Sequence, residues 1–159
     1  VVGSCGRSEG GKAFNVIADR VTLLGTGRCL SADLHERLPA WIEETVQAIC
    51  GSFGASARVR YRCIAPPVRN DPALTALLER SAVEQLGADQ VQRLEQPSLG
   101  AEDFAELLQD VPGSMFRLGV AGPDGCAALH NGHFNPEEGA LGVGVQVLTA
   151  AMLAWTPTP

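Results

Sequence analysis

No apolar run in the 159-residue sequence reaches the ~18 residues that a membrane-spanning helix needs. No basic start followed by an apolar stretch marks a secretory signal either. Basic residues are in deficit: 12 Lys and Arg against 18 Asp and Glu leave a formal charge of −6. That balance removes electrostatic support for nucleic acid or an anionic membrane as a general partner. Five cysteines (Cys5, Cys29, Cys50, Cys63 and Cys126) are odd in number and show no CxxC spacing, which argues against a disulfide framework or a cysteine zinc site. Cys50 and Cys63 fall at apolar positions of periodic segments and read as buried, reduced thiols, which fits a cytoplasmic protein. No repeat of fixed period is present. What remains, 45% hydrophobic and 19% charged, is a globular composition with small molecules or proteins as its partners. The first residue is Val1, so a longer polypeptide is expected.

Periodicity divides the chain at Pro66-Pro67, which suit neither a helix nor a central strand. In residues 1–65, "NVIADRVTLLGTGR" predicts two antiparallel strands joined by a short turn. Ser31 then caps a helix whose apolar positions Leu34, Leu38, Ile42, Val46, Ile49 and Phe53 recur at helical spacing until Gly54. Pro39 is discordant within it and should bend the axis. "ARVRYRC" alternates Val59, Tyr61 and Cys63 with three arginines and predicts a half-buried strand. Residues 66–159 restart with Asp71 as cap and Pro72 at the first helical position, and Gly87 stops that helix. A strand at 91–95, a short helix at 102–109, a strand at 114–120 and a helix at 136–155 follow, an α/β alternation, before a disordered "TPTP" tail. Neither part is complete by layer arithmetic, so a segment upstream is expected.

His130 lies on the loop between the strand-like "SMFRLGV" and the last helix, beyond the carboxyl end of a strand, where α/β sheets bind ligands. A neutral imidazole there suits zinc, nickel or manganese, and a single histidine on a polar loop equally suits plain surface. His133 would need acidic partners to complete a chelate, whereas Glu137 and Glu138 fit better as helix-start carboxylates. A Cys126–His130 nucleophile pair lacks an orienting third group. Glu102 and Asp103 read as capping carboxylates. Gly100, lacking a Cβ, either admits a ligand close to the backbone or makes a simple turn. Asn15 and Arg28 stand at the ends of the two expected strands. Arg28 suits bidentate carboxylate recognition and Asn15 can donate to a carbonyl, but a turn-capping Asn and an exposed Arg fit as well.

Four segments taken in order resemble one family: "GKAFNVIADRVTLLGTGR", "PPVRNDPALTALL", "SLGAEDFAELLQDVPGSMFRLGV" and "ALHNGHFNPEEGALGVGVQVL". They are similar to the cocatalytic-metal amidohydrolases that include aminoacylases, hippurate hydrolases and indole-acetyl-amino-acid hydrolases, relatives of zinc carboxypeptidases with an inserted dimerisation domain. The sequence departs from that pattern at Ala18 and Ala128, where the family has proline, and at Leu99, where it has methionine. The resemblance implies an α/β fold in two pieces. Residues 1–65 would be the second half of a ferredoxin-like lid and dimerisation domain, and residues 66–159 the C-terminal part of the catalytic domain. It implies hydrolysis of the amide in N-acyl amino acids or peptides by a homodimer with two divalent metals: zinc, manganese or nickel. It makes His130 the last metal ligand and gives His133 no such role. Asn15, Arg28 and Gly100 become substrate-binding residues, the first two reaching across to the partner subunit. No residue here matches the general-base glutamate or the other ligands, so the chain alone is expected to be inactive. The competing expectation is a non-enzymatic dimerisation module.

Overall fold

The structure, a computed structural model, describes residues 1–156. They form two compact units, one of residues 1–68 with 96–106 and the other of residues 69–95 with 107 onward.

The first unit is built on an antiparallel hairpin. β1 (Val2–Gly10) pairs with β2 (Val21–Arg28) from Val2 opposite Arg28 to Gly10 opposite Val21, with an irregularity between Cys5 and Arg7. The expected antiparallel pair therefore exists, but in a different place. Asn15 to Ala18, read as the first strand, lie in the connecting loop, where Phe14 and Ile17 are almost fully exposed. β1 is "VGSCGRSEG", poor in strand-favouring side chains. Pairing along β2 decides its conformation, as strand preference is mostly a matter of neighbours. Two glycines permit close approach. A Cβ on Gly25 would lie 2.4 Å from the Ser4 carbonyl oxygen, and one on Gly27 would lie 2.9 Å from Leu38 Cδ2.

Leu38 belongs to α1 (Ala32–Ser52) and is 5% exposed, so the bare Gly27 backbone makes room for the helix on the sheet. The ends of α1 match expectation: Ser31 Oγ accepts from the Leu34 N–H at 3.4 Å, and Gly54 takes φ +68 just beyond the last turn. Pro39 sits inside, leaving the His35 carbonyl without its i+4 amide. "ARVRYRC" is not a strand. Ala57 and Val59 are half-buried between exposed arginines, but from Tyr61 to Ile64 every residue is exposed. Cys63 is thus an exposed thiol and Cys50 a half-buried one, contrary to the burial expected of both.

The second unit is helical. α2 (Pro72–Leu86) starts as expected, with Asp71 Oδ1 accepting from the Leu74 N–H at 2.8 Å, and ends at Gly87 with φ +92. After a 3-10 turn at Ala88–Gln90, the segment expected as a strand at 91–95 is unpaired among the described residues. α3 (Phe104–Leu107) is shorter than expected, and α4 (Gly139–Ala154) begins three residues late. α2 packs on α4 through small residues: Ser81 is 3% exposed, and Gly144, Val147 and Ala151 are buried. Residues 114–120 also lack a strand partner among the described residues, and side chains hold them instead. Asn70 Nδ2 donates to the Met115 carbonyl (2.7 Å), Asn70 Oδ1 accepts from the Met115 N–H (3.0 Å), and Leu118 lies against Gly144. A strand's side-chain pattern becomes a ladder only when another backbone lies ≈ 4.8 Å away. The fold class is therefore mixed, with strands in the first unit and helices in both. The expected disorder of the tail falls largely on residues 157–159, outside the described residues.

Candidate functional site

The candidate residues fall in both units: Asn15, Arg28 and Gly100 in the first, His130 in the second.

The loop that carries His130 is pinched at its base, where the Glu137 N–H donates to the Val120 carbonyl at 2.9 Å and Gly122 bridges Gly125. Inside it, Cys126 Sγ donates to the Asn135 carbonyl at 3.3 Å. That engages the thiol away from the His130 pairing weighed for it. At the tip, the Asn131 N–H reaches the Ala128 carbonyl (3.2 Å), the Phe134 N–H reaches the Asn131 carbonyl (3.0 Å), and Asn131 Oδ1 accepts from the His133 N–H (2.9 Å). His130 lies inside the Ala128–Asn131 turn with φ +66, the one left-handed non-glycine residue among the described residues. That conformation costs roughly 1–2 kcal/mol for a side chain with a Cβ. A glycine would relieve it, and Gly132 stands only two residues on. The loop thus holds an exposed imidazole at a position where backbone preference alone favours glycine. Among the described residues no group of three or more His, Cys, Asp or Glu side chains is placed to hold a metal.

In the first unit, Asn15 is exposed in the hairpin loop, in a turn closed by the Val16 N–H to the Ala13 carbonyl at 3.3 Å. Arg28 is the last residue of β2, also exposed, and its Nη1 donates to the carbonyl of Leu99 at 2.7 Å. Gly100 follows directly. Its N–H donates to Ser98 Oγ at 3.0 Å, and a Cβ there would crowd that oxygen at 3.3 Å. The structure therefore brings Arg28 to the Leu99-Gly100 backbone, a link between residues 71 apart that no periodicity signals. Asn15 does not join them, because its loop leaves β2 at the opposite end from Arg28. Seven strand steps of ~3.3 Å separate those ends by about 23 Å.

Nη1 uses one N–H on Leu99, and Arg28 makes no other hydrogen bond or ion pair among the described residues. Its remaining fork faces water at the mouth of the Ser98–Gly100 turn, a geometry that can take a carboxylate. An ion pair of the second unit fills one edge of its guanidinium with a side-chain carboxylate. Arg93 Nε and Nη2 both bond Glu79, at 2.7 and 2.6 Å, and hold its carboxyl below the ordinary value chiefly through those hydrogen bonds. It is a tie between the 91–95 segment and α2.

The chain matches the model of peptidase family M20/M25/M40 over residues 1–154. It is 44% identical over 154 residues to a probable hydrolase of Synechocystis sp., covering 96% of this chain and 39% of that protein. It is 32% identical over 144 residues to the N-acetyldiaminopimelate deacetylase of Priestia megaterium, covering 91% of this chain and 37% of the relative. Among solved structures it resembles the YXEP protein of Bacillus subtilis, a dinuclear metal-binding peptidase of the M20 family, with a TM-score of 0.81 at 27% identity, covering 96% of this chain and 41% of that one. The chain thus spans about two fifths of the length of the relatives it matches. With the match running from Val1 to the last residue of α4, the chain belongs to peptidase family M20/M25/M40.

Proposed function

We propose that this chain is the lid and C-terminal part of a metal-dependent amidohydrolase that cleaves the amide bond of N-acyl amino acids or similar conjugates. The observation that carries the substrate class is Arg28, a guanidinium anchored by one N–H to the Leu99 carbonyl with its fork open to solvent beside Gly100. Such a group selects substrates that present a carboxylate next to the scissile amide. The deacetylase from P. megaterium is named for a substrate of that kind, an N-acylated amino acid.

His130 supplies one metal ligand from its exposed, left-handed turn, and a neutral imidazole fits zinc, manganese or nickel. When bound, two divalent ions would supply Lewis acidity to the scissile carbonyl and lower the pKa of the attacking water. The other ligands and the general base would come from the part of the relatives' length that this chain does not span. α4 supports that reading. Gly144, Val147 and Ala151 are buried, while Leu141, Val145, Leu148 and Met152 form an exposed stripe on the same helix. A helix apolar all round is suited to packing between two layers.

Asn15 donates to the substrate carbonyl oxygen as charge develops on it. The β2 ends lie about 23 Å apart, farther than a small N-acyl amino acid reaches. One substrate therefore takes Arg28 from one protomer and Asn15 from the partner of a homodimer, a departure from the expectation that both residues reach across to the same partner. In this reading residues 1–65 belong to a ferredoxin-like lid, whose two-stranded sheet leaves Val2, Leu23 and Leu24 exposed for further pairing and packing.

The test is kcat/KM of the full-length enzyme on an N-acyl amino acid and on the matching amide without a carboxylate, in wild type and Arg28→Ala. Losing a charged hydrogen bond costs on the order of 1.5–3 kcal/mol, or roughly ten- to hundredfold, and the loss should fall on the carboxylate substrate. An equal loss on both would assign Arg28 to the fold through Leu99.

A further inference from the structure

Cys63 takes no part in the proposed hydrolysis, yet it is the one thiol among the described residues that combines exposure with a contact to imidazole. Its Sγ lies 3.1 Å from His35 Nε2. His35 is held in the first turn of α1, where its N–H donates to the Ser31 carbonyl at 2.9 Å, and Cys29 Sγ reaches that same carbonyl at 3.7 Å. "ARVRYRC" forms no strand, and its Cys63 is exposed in contact with His35 of α1. Tyr61 reports on the same neighbourhood. Its hydroxyl is pushed above the ordinary value first by partial burial and then by the charges of Cys63 and Cys29. The other thiols differ. Cys5 is exposed but contacts the Arg7 carbonyl (3.4 Å), Cys126 contacts the Asn135 carbonyl, and Cys29 and Cys50 are half-buried.

We propose that Cys63 is a thiol-modification site that reacts with low-molecular-weight disulfides, with His35 as its base. As Sγ attacks one sulfur of the disulfide, His35 Nε2 takes the thiol proton. A new S–S bond to Cys63 forms, the original S–S bond breaks, and the departing thiolate takes the proton back from the imidazolium. Cys63 is oxidised and one half of the disulfide is reduced, so no further oxidant is needed. The product is a mixed disulfide at the junction of α1 and the 55–63 segment, in the same unit as Arg28.

The test is exposure of the full-length protein to oxidised glutathione at neutral pH, with site-resolved mass spectrometry over time. Cys63 should be consumed roughly tenfold faster than the exposed reference Cys5, a modest share of what a positioned base contributes. His35→Gln should bring the ratio close to one while Cys5 keeps its rate. Equal rates at Cys63 and Cys5 in wild type overturn the proposal, and so does a ratio that His35→Gln leaves intact. Cys63→Ser gives an independent reading: loss of the fast phase of thiol consumption supports the assignment, and its persistence transfers the reactivity to another thiol and overturns it.

Discussion

His130 and His133 are the same residue type, three positions apart on one exposed loop, and their backbones separate them. His130 holds φ +66, whereas the His133 N–H is absorbed by Asn131 Oδ1 within the local turn. A side chain held at a strained turn points to a role for that side chain, and the role proposed here is metal ligation. In the full-length enzyme, His130→Ala should strip or loosen one metal and reduce turnover by more than a hundredfold, while His133→Ala should stay within a few fold. Metal content by atomic absorption, read beside kcat, checks this, and equal losses in the two variants would contradict the assignment. The candidate residues Asn15, Arg28, Gly100 and His130 could be named from residue type and resemblance. Neither source could name the Leu99 carbonyl as the anchor of Arg28, because a backbone oxygen leaves no mark on residue identity.

At the scale of elements, the ends of α1 and α2 were legible and strands were not. Ser31, Gly54, Asp71 and Gly87 all act where side-chain chemistry predicted, because a cap is a contact within three or four residues of chain. The hairpin depended on distant pairing. Its first strand proved to be the glycine-containing stretch Val2–Gly10, and the more apolar "NVIAD" became loop. The close contacts at Gly25 and Gly27 separate two kinds of constraint. A Cβ on Gly25 meets the backbone oxygen of Ser4 at 2.4 Å, which can yield only if the strands part. One on Gly27 meets the tip of the Leu38 side chain at 2.9 Å, which can turn aside at the cost of some packing. Gly25→Ala should therefore destabilise by about 2–3 kcal/mol and Gly27→Ala by about 1 kcal/mol, within the range known for overpacking. Denaturant midpoints of the two variants test the order, and a milder Gly25→Ala would mean the pairing register is wrong.

At the scale of the whole molecule, the chain spans about two fifths of its relatives, and among its described residues no group of three ligands is placed to hold a metal. Tight zinc binding takes three or four protein ligands. The purified 159-residue chain should therefore bind divalent metal only weakly and should not hydrolyse N-acyl amino acids. Titration calorimetry with zinc and an amine-release assay check both expectations, and metal-dependent turnover by this chain alone would refute the proposed division of the active site. Among the described residues no helix is long and apolar enough to cross a membrane, as the absence of long apolar runs implied.

The sequence by itself determined α1 and α2 with their caps, the acidic balance and the family, because each rests on local spacing or on residues compared one by one. The tertiary structure alone decided which segments pair as strands, that Arg28 is anchored at Leu99, that Asn15 and Arg28 leave opposite ends of β2, and that Cys63 meets His35 in water. Each of these depends on groups more than ten residues apart in the chain. The energy that selects them belongs to the pair, and neither partner's identity carries it.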